Sequence, residues 1–183
     1  MRVRHALTAM ATVTAAVAVV GPANAATSGN TTTTFTVAAS GTGLAITVPG
    51  SAALGTGGPG ATITSLLGAV QVTDSRAVDP AAWTASVTSS NFTIPSTTDT
   101  IPAGDVAYWS GPTTATTGSG TFTPGQPTSA NSAALSNSTP LTAMSLSGGA
   151  GGNSATWDPT LVVSVPATAV AGTYSGTVTH SVA

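Results

Sequence analysis

The stretch AAWTASVTSSNF, residues 81–92, decides the fold of this chain. From Trp83 to Thr88, apolar and hydroxyl side chains alternate one by one. Because successive side chains of a β-strand point to opposite faces, this period of two predicts a strand with one buried and one wet face. Threonine is β-branched and suits a pleated surface, so the wet face needs no Lys or Glu.

The same alternation recurs along the rest of the chain. The further runs are Phe35–Val37, Leu44–Val48, Ala69–Thr73, Leu161–Val165 and Tyr174–Val182. Clusters rich in Gly and Pro separate the runs and mark turns. Many short strands with such turns predict an all-β fold, an antiparallel β-sandwich of the immunoglobulin-like type.

The first 25 residues have the features of a cleaved signal peptide. Arg2 and Arg4 precede an apolar run at 6–20, and Ala23-Asn24-Ala25 offers small residues for cleavage after Ala25. The alternative is a membrane anchor, but the run is shorter than the roughly 20 residues that span a bilayer. We therefore expect a secreted protein with no membrane span in the mature chain.

The mature chain reads as one domain with a lead-in. Residues 26–34 are polar and predict a flexible N-terminal lead, and residues 35–183 predict a single sandwich domain. The stretch 110–140 is rich in Ser, Thr, Gly and Pro, which predicts a long loop or an extended excursion between strands. A low-complexity stalk is the alternative for the whole chain, and the regular alternation and the aromatic residues argue against it.

Composition excludes several classes of function. Only 4% of residues are charged, against roughly 25% in ordinary domains. Once residues 1–25 are removed, Arg76 is the single basic side chain against five Asp residues, so nucleic acid is not an expected partner. With no Cys, the chain can form neither disulfides nor a Cys-based zinc site.

Residues that could carry out chemistry are sparse. After residue 25 the single histidine is His180, and no nucleophile motif accompanies it. Asp74 and Asp79 flank a turn that also holds Arg76, which predicts a turn held by side-chain hydrogen bonds and an ion pair rather than a calcium site. We therefore expect no enzyme activity, no bound metal and no cofactor.

The tryptophans allow two interpretations. Trp83 and Trp157 lie in or beside alternating runs, which favours core packing. Trp109 precedes Gly111-Pro112 and borders a loop, so it is the candidate for an exposed ring that stacks on a sugar.

Residues 66–76 and 82–92 resemble the first half of the WxL surface domain of Gram-positive bacteria, in which an Asp-containing turn precedes a Trp-led strand. Residues 166–179 are similar to the closing strand of that family. Its two signature triplets would fall at Trp83-Thr84-Ala85, with Ala in place of Leu, and at His180-Ser181-Val182, with His in place of Trp. The composition, rich in Ala, Thr and Gly, is typical of actinobacteria.

The resemblance implies a β-sandwich that associates non-covalently with peptidoglycan. It assigns binding positions to Trp83, Ala85, His180 and Val182, to which we add Trp109 as the exposed aromatic. The expected protein is secreted, extracellular or wall-associated, with cell-wall glycan or other surface proteins as partners. The alternative is a structural subunit of a fibre or sheath that self-associates, because uncharged strand edges permit strand addition between copies.

Overall fold

The computed structural model describes residues 31–38 and 43–183, so the predicted signal peptide lies outside the described residues. Within them the chain forms strands and two 3₁₀ turns, at Ala103–Asp105 and Ser129–Asn131. All pairings are antiparallel, which confirms the predicted all-β class. The strands are β1 (Leu44–Thr47), β2 (Thr62–Leu66), β3 (Val70–Asp74), β4 (Ala81–Ser89), β5 (Phe92–Thr93), β6 (Thr100–Ile101), β7 (Val106–Trp109), β8 (Thr113–Thr117), β9 (Thr121–Pro124), β10 (Ala133–Ala134), β11 (Leu141–Gly149), β12 (Asn153–Trp157), β13 (Thr160–Ser164) and β14 (Val178–Val182).

One layer is a long sheet with a bend across it. Its halves have the orders β1-β3-β12-β8 and β10-β7-β13-β2. The chain passes from one half to the other at 67–69, 110–112 and 158–159, and the order β3-β12-β8 of one half continues as β2-β13-β7 in the other. The amide of Leu67 donates to the carbonyl of Pro159 at 2.8 Å, so the pairing continues through the bend. We call this layer the bent sheet.

Glycine makes the bend possible. Gly68 and Gly111 have φ angles of 99° and 69°, a left-handed region that side chains with a Cβ disfavour. A Cβ on Gly68 would also lie 2.9 Å from Cγ of Pro49. The bend therefore depends on residues without a side chain at two of its three crossings.

The second layer is a sheet of order β14-β4-β11-β9, which we call the second sheet. It packs against the bent sheet, and both layers supply the core, as the predicted sandwich requires. Residues along β3 and β4 alternate strictly between buried and more exposed positions for most of their length. The largest apolar core side chains are Val70, Val72, Trp83, Val87, Val106, Tyr108, Met144, Leu146, Trp157 and Leu161.

The stretch 110–140, expected as a long loop, contains strands. β8 is an edge strand of the bent sheet and β9 is an edge strand of the second sheet, so this segment links the two layers. β8 reads TTATT and is mostly exposed on both faces. With little apolar surface to bury, it shows no alternation that sequence reasoning could detect.

The N-terminal residues differ from the prediction as well. The compact unit begins at Val37, and residues 31–36 belong to a separate unit. The run Phe35–Val37, predicted as a strand, forms none in the part of the chain that the structure covers. Its two apolar side chains are 89% and 76% exposed. A polar lead up to residue 34 was expected, but this apolar exposure was not.

Replacing Gly68 with alanine tests the bend. We expect Gly68→Ala to lower the free energy of unfolding by roughly 1–3 kcal/mol, because the backbone is left-handed and the new methyl group meets the Pro49 ring. Gly58→Ala is the matched control, since nothing lies within 4 Å of its Cβ position. Urea unfolding of both variants measures the difference. Equal losses of unfolding free energy would show that the bend does not require glycine at position 68.

Candidate functional site

The structure places the two signature-like triplets side by side. β4 and β14 are antiparallel neighbours, and Ala85 lies opposite Val182. The main chains of Thr84 and Ala183 exchange two hydrogen bonds, of 2.8 and 3.1 Å. Four of the five predicted site residues therefore share one strand pair, while Trp109 lies on β7 in the other layer.

Trp83 is a core residue, as the alternation predicted. Its side chain is 3% exposed, and its ring centroid lies 6.2 Å from that of Phe122. The indole Nε1–H donates to Oδ1 of Asn153 at 2.8 Å, which joins the second sheet to the bent sheet. Ala85 is fully buried beside it. Neither residue presents a face on which a sugar ring could stack.

The turn at Asp74 confirms the predicted ion pair. Nε and Nη2 of Arg76 donate to the two carboxylate oxygens of Asp74 at 2.9 and 2.8 Å, and the Arg76 amide donates to Oδ1 at 3.0 Å. These hydrogen bonds hold the pKa of Asp74 below its usual value. Because both oxygens already accept from Arg76, the turn is built as an ion pair and not as a cation site.

His180 ends a buried chain of hydrogen bonds. Nε1–H of Trp157 donates to Oη of Tyr108 at 3.1 Å, and that oxygen lies 3.3 Å from Nε2 of His180. The Tyr108 oxygen accepts from Trp157, and the direction of its contact with Nε2 is set by which ring nitrogen of His180 carries the proton. Burial lowers the pKa of His180 to about 4 and raises the pKa of Tyr108. His180 is therefore neutral at neutral pH.

This chain of hydrogen bonds joins three parts of the fold. Trp157 comes from one half of the bent sheet, Tyr108 from the other half and His180 from the second sheet. The other ring nitrogen of His180, Nδ1, is buried and bonds to no atom of the described residues. With neither a carboxylate nor a serine hydroxyl bonded to the ring there, the contacts of His180 are those of a core residue.

Trp109 is half-buried, not the exposed ring that was expected. Its Nε1 is buried and has no partner within the described chain. A Cβ placed on Gly111 would lie 3.7 Å from its ring, which shows that the turn packs against it. The ring fills space beside the bend and is not a free stacking platform.

The outer face of the second sheet is covered by hydroxyl groups. Ser145 lies opposite Thr84 on one side and Thr123 on the other, and the hydroxyls of Ser86 and Ser181 are 3.3 Å apart. None of the four strands carries a charged side chain. We call this surface the hydroxyl face; it consists of Thr84, Ser86, Thr88, Thr121, Thr123, Thr142, Ser145, Ser147, Thr179 and Ser181.

An apolar groove runs along another part of the compact unit. A cavity of about 740 Å³ lies between segments 52–59 and 169–176, with Ile63 and Val163 in its lining. A second cavity, of about 400 Å³, shares Phe92 with the first and reaches His180. We call the two together the apolar groove.

The described residues contain neither a cluster of metal ligands nor a membrane-spanning helix. No group of three or more His, Asp or Glu side chains lies close enough together there to hold a metal ion. No helix in that part of the chain is long and apolar enough to cross a membrane.

Comparisons with known proteins identify no family for this chain. No protein-family model matches the chain, and a search of curated proteins gave no significant match. The WxL resemblance therefore remains a prediction from short motifs.

Tyr108 and Asn153, which accept the buried hydrogen bonds of Trp157 and Trp83, were not singled out from the sequence. Tyr108 follows Val106 at a spacing of two, an inward alternation that the run VAYW does contain. Asn153 comes directly after a glycine cluster, so it reads as a loop residue and gives no signal.

Removing the Tyr108 hydroxyl tests the network. We expect Tyr108→Phe to lower the free energy of unfolding by roughly 2–4 kcal/mol, because it leaves two buried polar groups without partners. Tyr174→Phe is the matched control: its hydroxyl donates to the Val170 carbonyl at an exposed site, so the loss stays below about 1 kcal/mol. Chemical denaturation compares them, and similar losses would argue against the network.

The buried imidazole also predicts how stability depends on pH. The pKa of His180 is about 4 when folded and 6.5 when unfolded, so the unfolded chain binds more protons between these values. Stability is therefore complete above pH 6.5 and falls as the pH drops towards 4, by about 3 kcal/mol in total.

The variant His180→Gln has no group that titrates in this window. Its unfolding free energy, measured by denaturation at a series of pH values, is expected to vary much less between pH 6.5 and 4. The contribution of Asp74, whose pKa is lowered, is lost only at lower pH. If the unfolding free energy of the variant changes with pH as steeply as that of the parent, His180 is not the cause of the pH dependence.

Proposed function

We propose that this protein is a secreted, non-catalytic surface protein that adheres to cell-wall glycan through the hydroxyl face. The observation that carries the proposal is the uncharged array of ten Ser and Thr side chains on the outer face of the second sheet. The predicted signal peptide supports export, and the WxL resemblance supports the wall as the target.

The chemistry of the hydroxyl face suits a polysaccharide. Each Ser or Thr hydroxyl both donates and accepts a hydrogen bond, as do the hydroxyl and amide groups of a glycan. Threonine in a strand loses little side-chain freedom on binding because its χ1 is already restricted. Since the face has no charge, attraction to the glycan should change little when salt is added.

The motif positions have a supporting role in this proposal. Trp83 and His180 lie on the inner side of β4 and β14, the strands whose outer side carries Thr84, Ser86 and Ser181. Their buried hydrogen bonds fix the second sheet against the bent sheet. They therefore act as positioning residues, and the contacts to glycan come from the neighbouring hydroxyls.

Co-sedimentation with purified peptidoglycan tests the proposal. We expect the protein to pellet with peptidoglycan at both low and high salt, and the variant Thr84→Val/Thr123→Val/Ser145→Ala to lose at least tenfold in binding. These substitutions remove hydroxyls from the face while the core beneath is unchanged.

The matched control alters hydroxyls on the bent sheet. Thr73→Val/Thr117→Val/Ser154→Ala makes the same chemical changes on the paired strands β3, β12 and β8. This control should bind as the parent protein does. Loss of binding in both variants, or no binding by the parent, would refute the hydroxyl face as the glycan site.

A further inference from the structure

Six large apolar side chains of the described residues are exposed; Leu66 and Val78 lie elsewhere, and the other four form two groups that complement each other. Phe35 and Val37, in the extended segment 31–38, are 89% and 76% exposed. Val48 and Val170, which line the apolar groove, are 42% and 52% exposed. Single exposed apolar side chains are common, but a contiguous apolar surface such as the lining of the groove marks an interaction site.

We propose that segment 31–38 of one copy binds as an added strand in the apolar groove of a second copy. The segment reads TTTTFTVA, so in extended form Phe35 and Val37 point to one side, and Thr34 and Thr36 point to the other. One side can enter an apolar groove while the other stays wet. This proposal is independent of the glycan-binding proposal, since it uses neither the hydroxyl face nor a sugar.

The groove offers what such a strand needs. Ile63, Phe92 and Val163 give it an apolar lining. β2, which carries Ile63, is the last strand of its half of the bent sheet and pairs with β13 alone among the described strands. Its outer edge can therefore supply main-chain hydrogen bonds to an incoming strand.

The length of segment 31–38 and its lack of charge are also compatible with binding in the apolar groove. Eight extended residues span roughly 26 Å, against roughly 17 Å for the five residues of β2. A cavity of about 740 Å³ has room for the side chains of Phe35 and Val37. Neither the segment nor the lining of this cavity contains a charged residue, so no buried charge opposes the association.

Disulfide capture tests the pairing between copies, because the natural chain has no Cys. Copies carrying Phe35→Cys are mixed with differently tagged copies carrying Val170→Cys and oxidised. We expect disulfide-linked dimers that contain both tags. The control partner, Ser147→Cys, places an exposed thiol on β11, away from the groove, and should give at least tenfold fewer mixed dimers.

Sedimentation of the purified protein over a range of concentrations gives the second measurement. The parent should self-associate, and Phe35→Asp/Val37→Asp, which changes only exposed side chains, should raise the dissociation constant more than about tenfold. A parent that stays monomeric, or a variant that associates equally well, would overturn the proposal. So would a monomeric disulfide in the Phe35→Cys/Val170→Cys double variant, since the segment would then occupy its own groove. Because peptidoglycan is absent here, failure of this test leaves the co-sedimentation result unaffected.

Discussion

The structure depends on a chain of neutral hydrogen bonds inside the core, from Trp157 through Tyr108 to His180. The core residues come from two sheets, one of them bent. The chain has no Cys and so no disulfide, and the described residues contain a single ion pair, which lies in the turn at Asp74. Apolar burial is non-directional and does not by itself select one relative position of the layers. A buried hydrogen bond has a required geometry. The hydrogen bonds from Trp157 through Tyr108 to His180, together with the bond from Trp83 to Asn153, therefore fix how the two layers meet.

The alternation that builds the core also builds the outer surface. From Trp83 to Thr88, each inward apolar residue of β4 is followed by an outward Ser or Thr, so a well-packed core and an uncharged hydroxyl face come from the same period of two. Changing the register by one residue would exchange the two faces. This explains why residues of the signature-like triplets are buried and still matter for the proposed adhesion, because they set the positions of the hydroxyls on the other side of the same strands.

A strand could be predicted from the sequence where it buries enough apolar surface to produce a regular alternation. β3, β4 and β13 contain clear apolar runs, and the all-β antiparallel class followed from them. β8 and β10 are short edge strands with little buried surface, so the stretch 110–140 gave no periodic signal. Phe35–Val37 has the alternation of a strand but lacks a pairing partner in the described chain. Within the site, the burial of Trp83 was predictable from period two, whereas the contacts of Asn153 and Tyr108 join residues 49 to 79 positions apart, and local pattern cannot supply them.

The ion pair between Arg76 and Asp74 has a consequence for resistance to proteases. After residue 25 the chain has no lysine, and Arg76 is its single arginine, so trypsin-like proteases have one bond to cut there. The guanidinium that such an enzyme must seat in its specificity pocket is held by both carboxylate oxygens of Asp74 and by the carbonyl of Ala82. Cleavage therefore requires local opening of this turn. The chain after residue 25 therefore offers trypsin-like proteases very little to cleave.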